Sequence, residues 1–148
     1  MISFASLLRF SEDENPAEVQ LKAQHAFPKR VAHSSLSLRK PSSRVPQAGK
    51  HVILGIATYS KPELELLDEV EKSLECDQAI RVKVAVFDVA NCGEMKDFSR
   101  YIPGIDGVYQ TPVGAIFSDG KLAGHATGMS DVKDLLRRFS VLVGSCTR

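Results

Sequence analysis

Four apolar segments of the chain predict the strands of a β-sheet. Val52–Ala57 is a short uninterrupted apolar run, which is typical of a strand buried on both faces. Arg81–Val89 alternates and is rich in β-branched residues, which indicates a central strand. Val113–Phe117 and Leu122–Thr127 flank a tight-turn signal at Ser118–Lys121, and they therefore predict an antiparallel hairpin.

Segments with helical periodicity separate these strands. Pro62–Glu75 gives the clearest helix, with an apolar stripe opposite many acidic residues. Asn15–Pro28 opens with an Asn cap followed by Pro, and we expect that helix to end at its second proline. Met95–Ile102 predicts a short helix, and Ser130–Val143, capped by its first residue, predicts the last one. The helix between the first two strands is long enough for a right-handed parallel crossover.

The N-terminal third differs in character from the remainder. Met1–Phe10 is partly apolar and predicts a short helix or strand that docks on the core. Lys29–Lys50 carries basic charges only, with several Ser and Pro, and Ser35–Arg39 within it alternates enough for a short edge strand. Because no aromatic residues interleave with the charges, we interpret the segment as a solvated linker rather than a basic arm for nucleic acid or an acidic partner. The predicted organisation is an N-terminal extension at 1–50, a domain at 51–143 and a tail at 144–148.

Composition places the chain among ordinary soluble domains. Its 148 residues suit one domain, and 43% hydrophobic with 25% charged residues is typical of a globular protein. A net charge of +1 gives no strong attraction to nucleic acid or membrane, and we identify no signal peptide or transmembrane span. The three cysteines, Cys76, Cys92 and Cys146, form no C-x-x-C pair, so we expect reduced thiols in a cytoplasmic protein rather than a disulfide framework.

The strongest candidate site is the loop between the first strand and the Pro62–Glu75 helix. It contains Tyr59, Ser60, Lys61, Pro62 and Glu63. Free backbone N–H groups and the helix dipole at such a position favour an anion or a thiolate. The loop contains no cysteine, which is its main chemical feature.

Other reactive residues offer only weak alternatives. Cys92, predicted in a turn after the central strand, and Ser60 are the weak candidates for a catalytic role, and a low thiol pKa would need a cationic neighbour or a helix N-terminus. Ser60 with His125 suggests a hydrolase pair only if the two meet in space, and no acid partner is identifiable. A lone His125 does not make a metal site, and we predict no metal or cofactor.

The ordered set of elements and motifs resembles the thioredoxin-like superfamily. The segment A-T-Y-S-K-P-E at Ala57–Glu63 is similar to that family's A-x-W-C-G-P-C loop, and Phe87–Val89 resembles its strand-end V-D-V. Thr111–Pro112 matches the family's cis-proline, which faces the active-site loop in that fold, and Phe117–Lys121 with Gly128 matches its hairpin and terminal glycine. The resemblance, which covers about His51–Val143, implies a mixed sheet of about four strands flanked by helices in three layers.

The departures from the family decide the functional expectation. Ser60 and Glu63 stand at the two cysteine positions, and dithiol–disulfide exchange needs two thiols. We therefore expect a redox-inactive binding module, such as an adaptor, assembly factor or chaperone-like protein, and the sequence does not predict an enzyme. The alternative is a thiol- or glutathione-dependent oxidoreductase or transferase that uses a single Cys or Ser60, although the helical domain of such transferases has no room here.

The resemblance also indicates where a partner would dock. In that family the residue before the cis-proline offers its backbone to extended polypeptides, so Thr111 and Pro112, with Tyr59 and Ser60, form the expected docking surface. The acidic helix that follows the loop leads us to expect a protein partner, possibly basic, and binding that weakens with salt.

Overall fold

The computed structural model of the protein describes residues 3–8, 15–40, 47–76, 82–90, 92–100, 102 and 110–142. The described elements begin with a short 3-10 turn, which is followed by four helices and five strands. They are the turn Ala5–Leu8, α1 (Pro16–Ala32), β1 (Ser37–Leu38), β2 (Lys50–Ile56), α2 (Lys61–Cys76), β3 (Lys83–Asp88), α3 (Cys92–Ser99), β4 (Val113–Ser118), β5 (Lys121–Thr127) and α4 (Met129–Arg138).

The strands form one mixed five-stranded sheet in the order β1-β3-β2-β4-β5. β1, β3 and β2 are parallel, and β4 and β5 are antiparallel to their neighbours. The predicted crossover from β2 through α2 to β3 is therefore parallel, and the predicted hairpin is β4–β5. The fifth strand is β1, which occupies the edge where the alternating pattern of Ser35–Arg39 indicated a short strand.

Alternation along β2 divides the core between the two faces of the sheet. Val52, Leu54 and Ile56 point to the face covered by α1, α2 and α4, and Ile53 points to the face covered by α3. Period-two alternation is what a strand covered on both faces requires. The expected arrangement of helices on both sides of the sheet is confirmed.

Gly55 is needed where β2 passes under an aromatic ring. A Cβ atom at this position would lie 2.4 Å from Cζ of Phe87 and 2.7 Å from Cγ2 of Val113. Any side chain would collide with both of them, since 2.4 Å is far below carbon–carbon contact distance. The glycine thus lets the Phe87 ring pack directly against the strand that leads into the candidate loop.

Helix α1 continues past the proline at which we expected it to end. It runs to Ala32 with Pro28 inside it, although an interior proline removes a backbone hydrogen bond and costs about 3 kcal/mol. Burial on both sides of the proline offsets this cost, because Phe27 is 1% and Val31 0% exposed. The predicted Asn15 cap is confirmed, and its Oδ1 accepts from the Ala17 N–H at 2.8 Å.

Several polar and aromatic contacts fasten the N-terminal segment to α2. The Arg30 guanidinium pairs with the Glu71 carboxylate at 2.7 Å, and it also lies 4.2 Å from the centre of the Phe4 ring. The Asp68 carboxylate accepts from the N–H groups of Phe4 and Ala5 at 2.7 and 3.0 Å. The described residues before β1, 3–8 and 15–36, therefore belong to the packed structure.

The described part of the basic segment is also packed. Its two arginines, Arg30 and Arg39, are only 8% and 5% exposed, and the Arg39 N–H donates to the Val86 carbonyl at 2.8 Å. Leu36 joins the same core as Leu54. Within residues 29–40, the side chains of Arg30, Val31, Leu36 and Arg39 are thus buried parts of the structure rather than solvated linker. Residues 41–46 lie outside the described ranges. The domain boundary at residue 50, which the change in composition suggests, stays a prediction.

Two helix starts differ from those we expected. α4 begins at Met129 and ends at Arg138, and Gly128 occupies its N-cap without a side-chain hydrogen bond, so Ser130 is not the cap. Gly128 has a φ of 89°, a conformation that glycine adopts without steric cost, which explains its place there. α3 begins at Cys92, for which the sequence predicts a turn, and ends at Ser99 instead of running over Met95–Ile102.

Cys76, the last residue of α2, is disulfide-bonded. The expectation of reduced thiols is therefore wrong for this residue. The other two cysteines are distant from Cys76 in the sequence, but distance in sequence does not determine distance in the folded structure. A disulfide requires only that the two Cα atoms lie about 4.4–6.8 Å apart. The side chains of Cys92 and Cys146 lie outside the described residues.

Candidate functional site: a loop clamped by a carboxylate

The candidate loop is a short link between the end of β2 and the start of α2. The Ser60 N–H donates to the Ala57 carbonyl at 3.0 Å, and the Leu64 N–H donates to the Ser60 carbonyl at 3.1 Å. These bonds form a tight turn that leads into the first helical turn. Tyr59 stands at the tip of this turn with 59% of its surface exposed, whereas Ser60 is half-buried.

Glu63 joins the loop to the segment that precedes β4. One carboxylate oxygen accepts from the Ala57 N–H at 3.0 Å, and the other accepts from the Thr111 hydroxyl at 2.9 Å. The side chain is 6% exposed, and Ala57 is fully buried. Hydrogen bonds to an ionised acceptor are stronger than neutral ones, so this carboxylate holds the two segments together. The predicted site residues Glu63 and Thr111 are thus in direct contact.

The backbone around Thr111 is fixed on both sides. The Gly128 N–H donates to the carbonyls of Gln110 and Pro112, at 3.2 and 2.8 Å. Thr111 itself is half-buried, and no described residue donates to its C=O or accepts from its N–H. The N–H and C=O of Thr111 are therefore open, and they are held in place by the hydrogen bonds of Gln110, Pro112 and the Thr111 hydroxyl.

The Thr111–Pro112 peptide bond is cis, the isomer that the sequence predicted. The Pro112 ring is buried, as are the neighbouring residues of β4. Of the four residues expected to form the docking surface, only Tyr59, Ser60 and Thr111 therefore reach solvent.

A second polar network lies beneath the loop on the β3 side. The Thr58 hydroxyl donates to Oδ2 of Asp88 at 3.2 Å, and the Ala90 N–H donates to Oδ1 at 3.0 Å. Burial raises the pKa of the Glu94 carboxyl, the nearby Asp88 carboxylate raises it further, and Arg39 acts in the opposite direction. Glu94 and Arg39 are 7% and 5% exposed, so this is a buried charge cluster.

A groove of about 210 Å³ separates the loop from α1. It was not anticipated, because the sequence does not place α1 beside the loop. One sequence signal marks it: Leu21 lies off the buried stripe of α1 as an apolar residue among polar ones. The groove is lined by Ala17, Gln20, Leu21, Gln24, Thr58, Tyr59 and Ala90.

Most acidic residues of α2 have intramolecular partners. Beyond the contacts of Glu63, Asp68 and Glu71, the Glu69 carboxylate lies 3.7 Å from Lys133 Nζ. Glu65 is exposed, and no described residue pairs with it. The acidic character of the sequence therefore overstates the charge that α2 offers to a partner.

The weaker candidates do not assemble into a reactive site in the described residues. Ser60 makes no side-chain hydrogen bond to any of them. His125 is exposed on β5, and the contacts of Ser60 do not include it. Cys92 begins α3, which is a position that can lower a thiol pKa, but its side chain lies outside the described residues.

The described part of the chain shows neither a metal-binding cluster nor a membrane-spanning helix. No group of three or more His, Cys, Asp or Glu residues there could hold a metal ion. Of the helices that the structure describes, none is both long enough and apolar enough to cross a bilayer.

Comparison with solved structures finds thioredoxin-fold proteins. Mitochondrial thioredoxin 3 of Saccharomyces cerevisiae is 20% identical over 66% of this chain and 83% of its own, with a TM-score of 0.49. Thioredoxin f of spinach chloroplast is 18% identical over 65% of this chain and 74% of its own, with a TM-score of 0.48. ERdj5 matches 89% of this chain with 16% of its own length, at 13% identity and a TM-score of 0.50.

The chain has a thioredoxin-like fold, as the ordered motifs indicated. The mixed sheet, the helices on both faces and the match to ERdj5 all support this assignment. No family model and no curated protein matches the sequence. At these identities, likeness establishes the fold alone, so the function has to be argued from the site.

Proposed function

We propose that this chain is a redox-inactive thioredoxin-like binding module, an adaptor, assembly factor or chaperone-like protein, that docks a polypeptide beside Tyr59 and Thr111. The observation that carries the proposal is the Glu63 carboxylate. It stands where the resembling loop has its second cysteine, and it ties Ala57 to Thr111 instead of offering a thiol. A loop that is held rigid by this carboxylate and carries no thiol is suited to non-covalent binding of a partner.

The open N–H and C=O groups of Thr111 support docking of an extended chain. An extended peptide can pair with exposed main-chain groups as an added strand does. Glu63 and Gly128 already fix the segment around Thr111, so the segment loses little conformational entropy on binding. A surface organised in advance gains affinity because this cost is small. Tyr59 adds exposed aromatic area in the same loop that Glu63 ties to Thr111, and aromatic residues are enriched in interface cores.

The redox part of the proposal is tested by insulin reduction with thioredoxin reductase as the electron source. We expect no turnover, with a C-x-x-C thioredoxin as the positive control, because Ser60 and Glu63 leave the loop with neither thiol of the pair that the cycle needs. Turnover that is lost in Cys92→Ser would identify a one-thiol enzyme and overturn the proposal. Turnover that survives Cys92→Ser would also overturn the proposal, since it would show redox activity that depends neither on Cys92 nor on a thiol in the loop.

The docking part is tested with an unfolded, thiol-blocked polypeptide, reduced and carboxymethylated lactalbumin, titrated into isotope-labelled protein. We expect the amide signals of Tyr59, Ser60 and Thr111 to shift, and Tyr59→Ala to raise Kd. Lys29→Ser, an exposed change elsewhere on the surface, is the control and should leave Kd unchanged. Shifts confined to other surfaces would reject this docking site.

A cytoplasmic location is also part of the proposal. The disulfide at Cys76 counts against it, because reducing compartments rarely sustain disulfides. Trapping free thiols with an alkylating reagent in intact cells decides the point. An alkylated Cys76 supports the location, and a protected Cys76 contradicts it.

A further inference from the structure

Two large apolar side chains of the described structure remain mostly exposed, and both face one groove. Leu21 on α1 is 55% exposed and Tyr59 in the loop is 59% exposed. Single exposed apolar residues are normal on protein surfaces and need no explanation. Two such residues that come from separate elements and converge on the same concavity indicate a surface that is covered in use.

The size of the groove limits what can occupy it. Its volume of about 210 Å³ is below the range of about 300–1,000 Å³ that is usual for small-molecule sites. A self-associating surface would need roughly 800 Å² from each partner, which two exposed apolar side chains do not supply. One large side chain of a bound polypeptide is the occupant that matches this size.

The charge of the groove limits the occupant further. All of its lining residues are uncharged, and Gln20 and Gln24 offer amide groups that can both donate and accept hydrogen bonds. A charged side chain placed there would lose hydration without gaining an ion pair, which is costly. At the nearby start of α2, Glu63 is already engaged by Ala57 and Thr111.

We propose that the groove between α1 and the loop receives one large aliphatic or aromatic side chain from an uncharged, extended segment of the polypeptide partner. This inference rests on the proposed function and narrows it. It replaces the expectation of a basic partner, because the residues that line the groove are uncharged. Binding at this groove is therefore insensitive to salt.

The test uses capped synthetic peptides with one guest residue at the centre of a Gly/Ser/Gln host, titrated into isotope-labelled protein. The Phe-guest peptide should shift the amide signals of Leu21, Gln24, Thr58 and Tyr59, and the Ala-guest peptide should bind at least roughly tenfold more weakly. Raising salt from about 50 to about 500 mM should change Kd less than about twofold.

Substitutions at the groove provide the second arm. Leu21→Ser should raise Kd for the Phe-guest peptide roughly tenfold, and Lys29→Ser, which is exposed on α1 outside the lining, should not change it. Because Leu21 is exposed, its substitution leaves the core intact, and the amide spectrum verifies folding.

Failure of this inference can be told apart from failure of the proposed function. If Leu21→Ser leaves Kd unchanged while Tyr59→Ser raises it, the groove is rejected and docking at the loop stands. If neither substitution changes Kd, both proposals are rejected. A Phe-guest peptide that does not bind rejects the groove, while the lactalbumin titration still tests the loop. A Lys-flanked peptide that binds more tightly at low salt rejects the neutral partner in favour of a basic one.

Discussion

At the scale of single residues, the most informative side chain is Glu63. Its two hydrogen bonds serve a buried backbone N–H and the Thr111 hydroxyl. We expect Glu63→Ala to lower the free energy of unfolding by about 1–3 kcal/mol, because the Ala57 N–H would be left buried without a partner. Urea denaturation measures this loss. The control is Glu65→Ala, an exposed change on the same helix that should stay within about 0.5 kcal/mol. Equal losses in the two variants would contradict the clamp.

Glu94 gives a prediction about pH. Burial and the Asp88 carboxylate raise its pKa above the ordinary value of 4.5 despite the opposing effect of Arg39. Between 4.5 and the raised pKa, the folded protein binds more protons at this site than the unfolded chain does, so the free energy of unfolding falls as pH rises through that interval.

The variant Glu94→Gln removes this titration. The free energy of unfolding of the natural protein minus that of the variant should therefore be highest below pH 4.5 and decrease as pH rises through the interval. Urea unfolding at a series of pH values measures the difference. A difference that stays constant or grows with pH would show that Glu94 does not titrate in this way.

The site residues also show what the sequence could predict. Position and resemblance together identified the Tyr59–Glu63 loop and Thr111, and the structure brings Glu63 and Thr111 into contact. The sequence did not reveal that Glu63 acts as a clamp, because its hydrogen-bond partners are set by folding. Leu21 was missed, since its position beside Tyr59 depends on where α1 packs.

At the scale of elements, a buried ion pair joins α1 to α2. The side chains of Arg30 and Glu71 are 8% and 9% exposed, and their charged atoms lie 2.7 Å apart. We expect Glu71→Ala to destabilise the protein by about 3–5 kcal/mol, because it leaves the Arg30 charge buried without this partner. Chemical denaturation measures the loss.

The matched control for this pair is Glu69→Ala on the same helix. The charged atoms of Glu69 and Lys133 lie 3.7 Å apart and their side chains are partly exposed, 55% and 30%, so loss of the pair should cost about 0–1 kcal/mol. Replacing both Arg30 and Glu71 with Met should cost less than Glu71→Ala alone. If Glu69→Ala and Glu71→Ala are equally destabilising, the ion pair does not hold the two helices together.

Local patterns predicted elements best where burial and propensity agree. α2 was anticipated from its apolar stripe, and its observed bounds of Lys61–Cys76 differ by one residue at each end from the prediction. The prediction failed at Pro28, where tertiary burial of Phe27 and Val31 outweighs the local preference of proline. It failed again at Ser130, because the turn at Gly128 sets the start of α4.

At the scale of the whole molecule, the N-terminal segment completes the core. Phe4, Phe27, Val31 and Leu36 lie in one cluster with the apolar residues of β2 and α2. A chain cut before Lys50 would lose all four, and each buried side chain of this size contributes about 1.5–3 kcal/mol. The summed loss is comparable with the total stability of a domain, which is about 5–15 kcal/mol.

We therefore expect the truncated chain not to unfold cooperatively. Thermal unfolding followed by circular dichroism, in parallel with the full chain, measures this. A cooperative transition at a similar temperature would show that residues 51–143 fold independently, as the change in composition at residue 50 suggested.

The Glu63 clamp also has an evolutionary consequence. Replacing Glu63 with cysteine would leave the Ala57 N–H and the Thr111 hydroxyl without their shared acceptor, at a cost to folding. The new thiol would bring no dithiol exchange until position 60 also carried cysteine, because exchange requires a pair. A variant in which position 63 changes first would thus carry the cost without the chemistry, and we expect selection to retain Glu63 and Thr111 together.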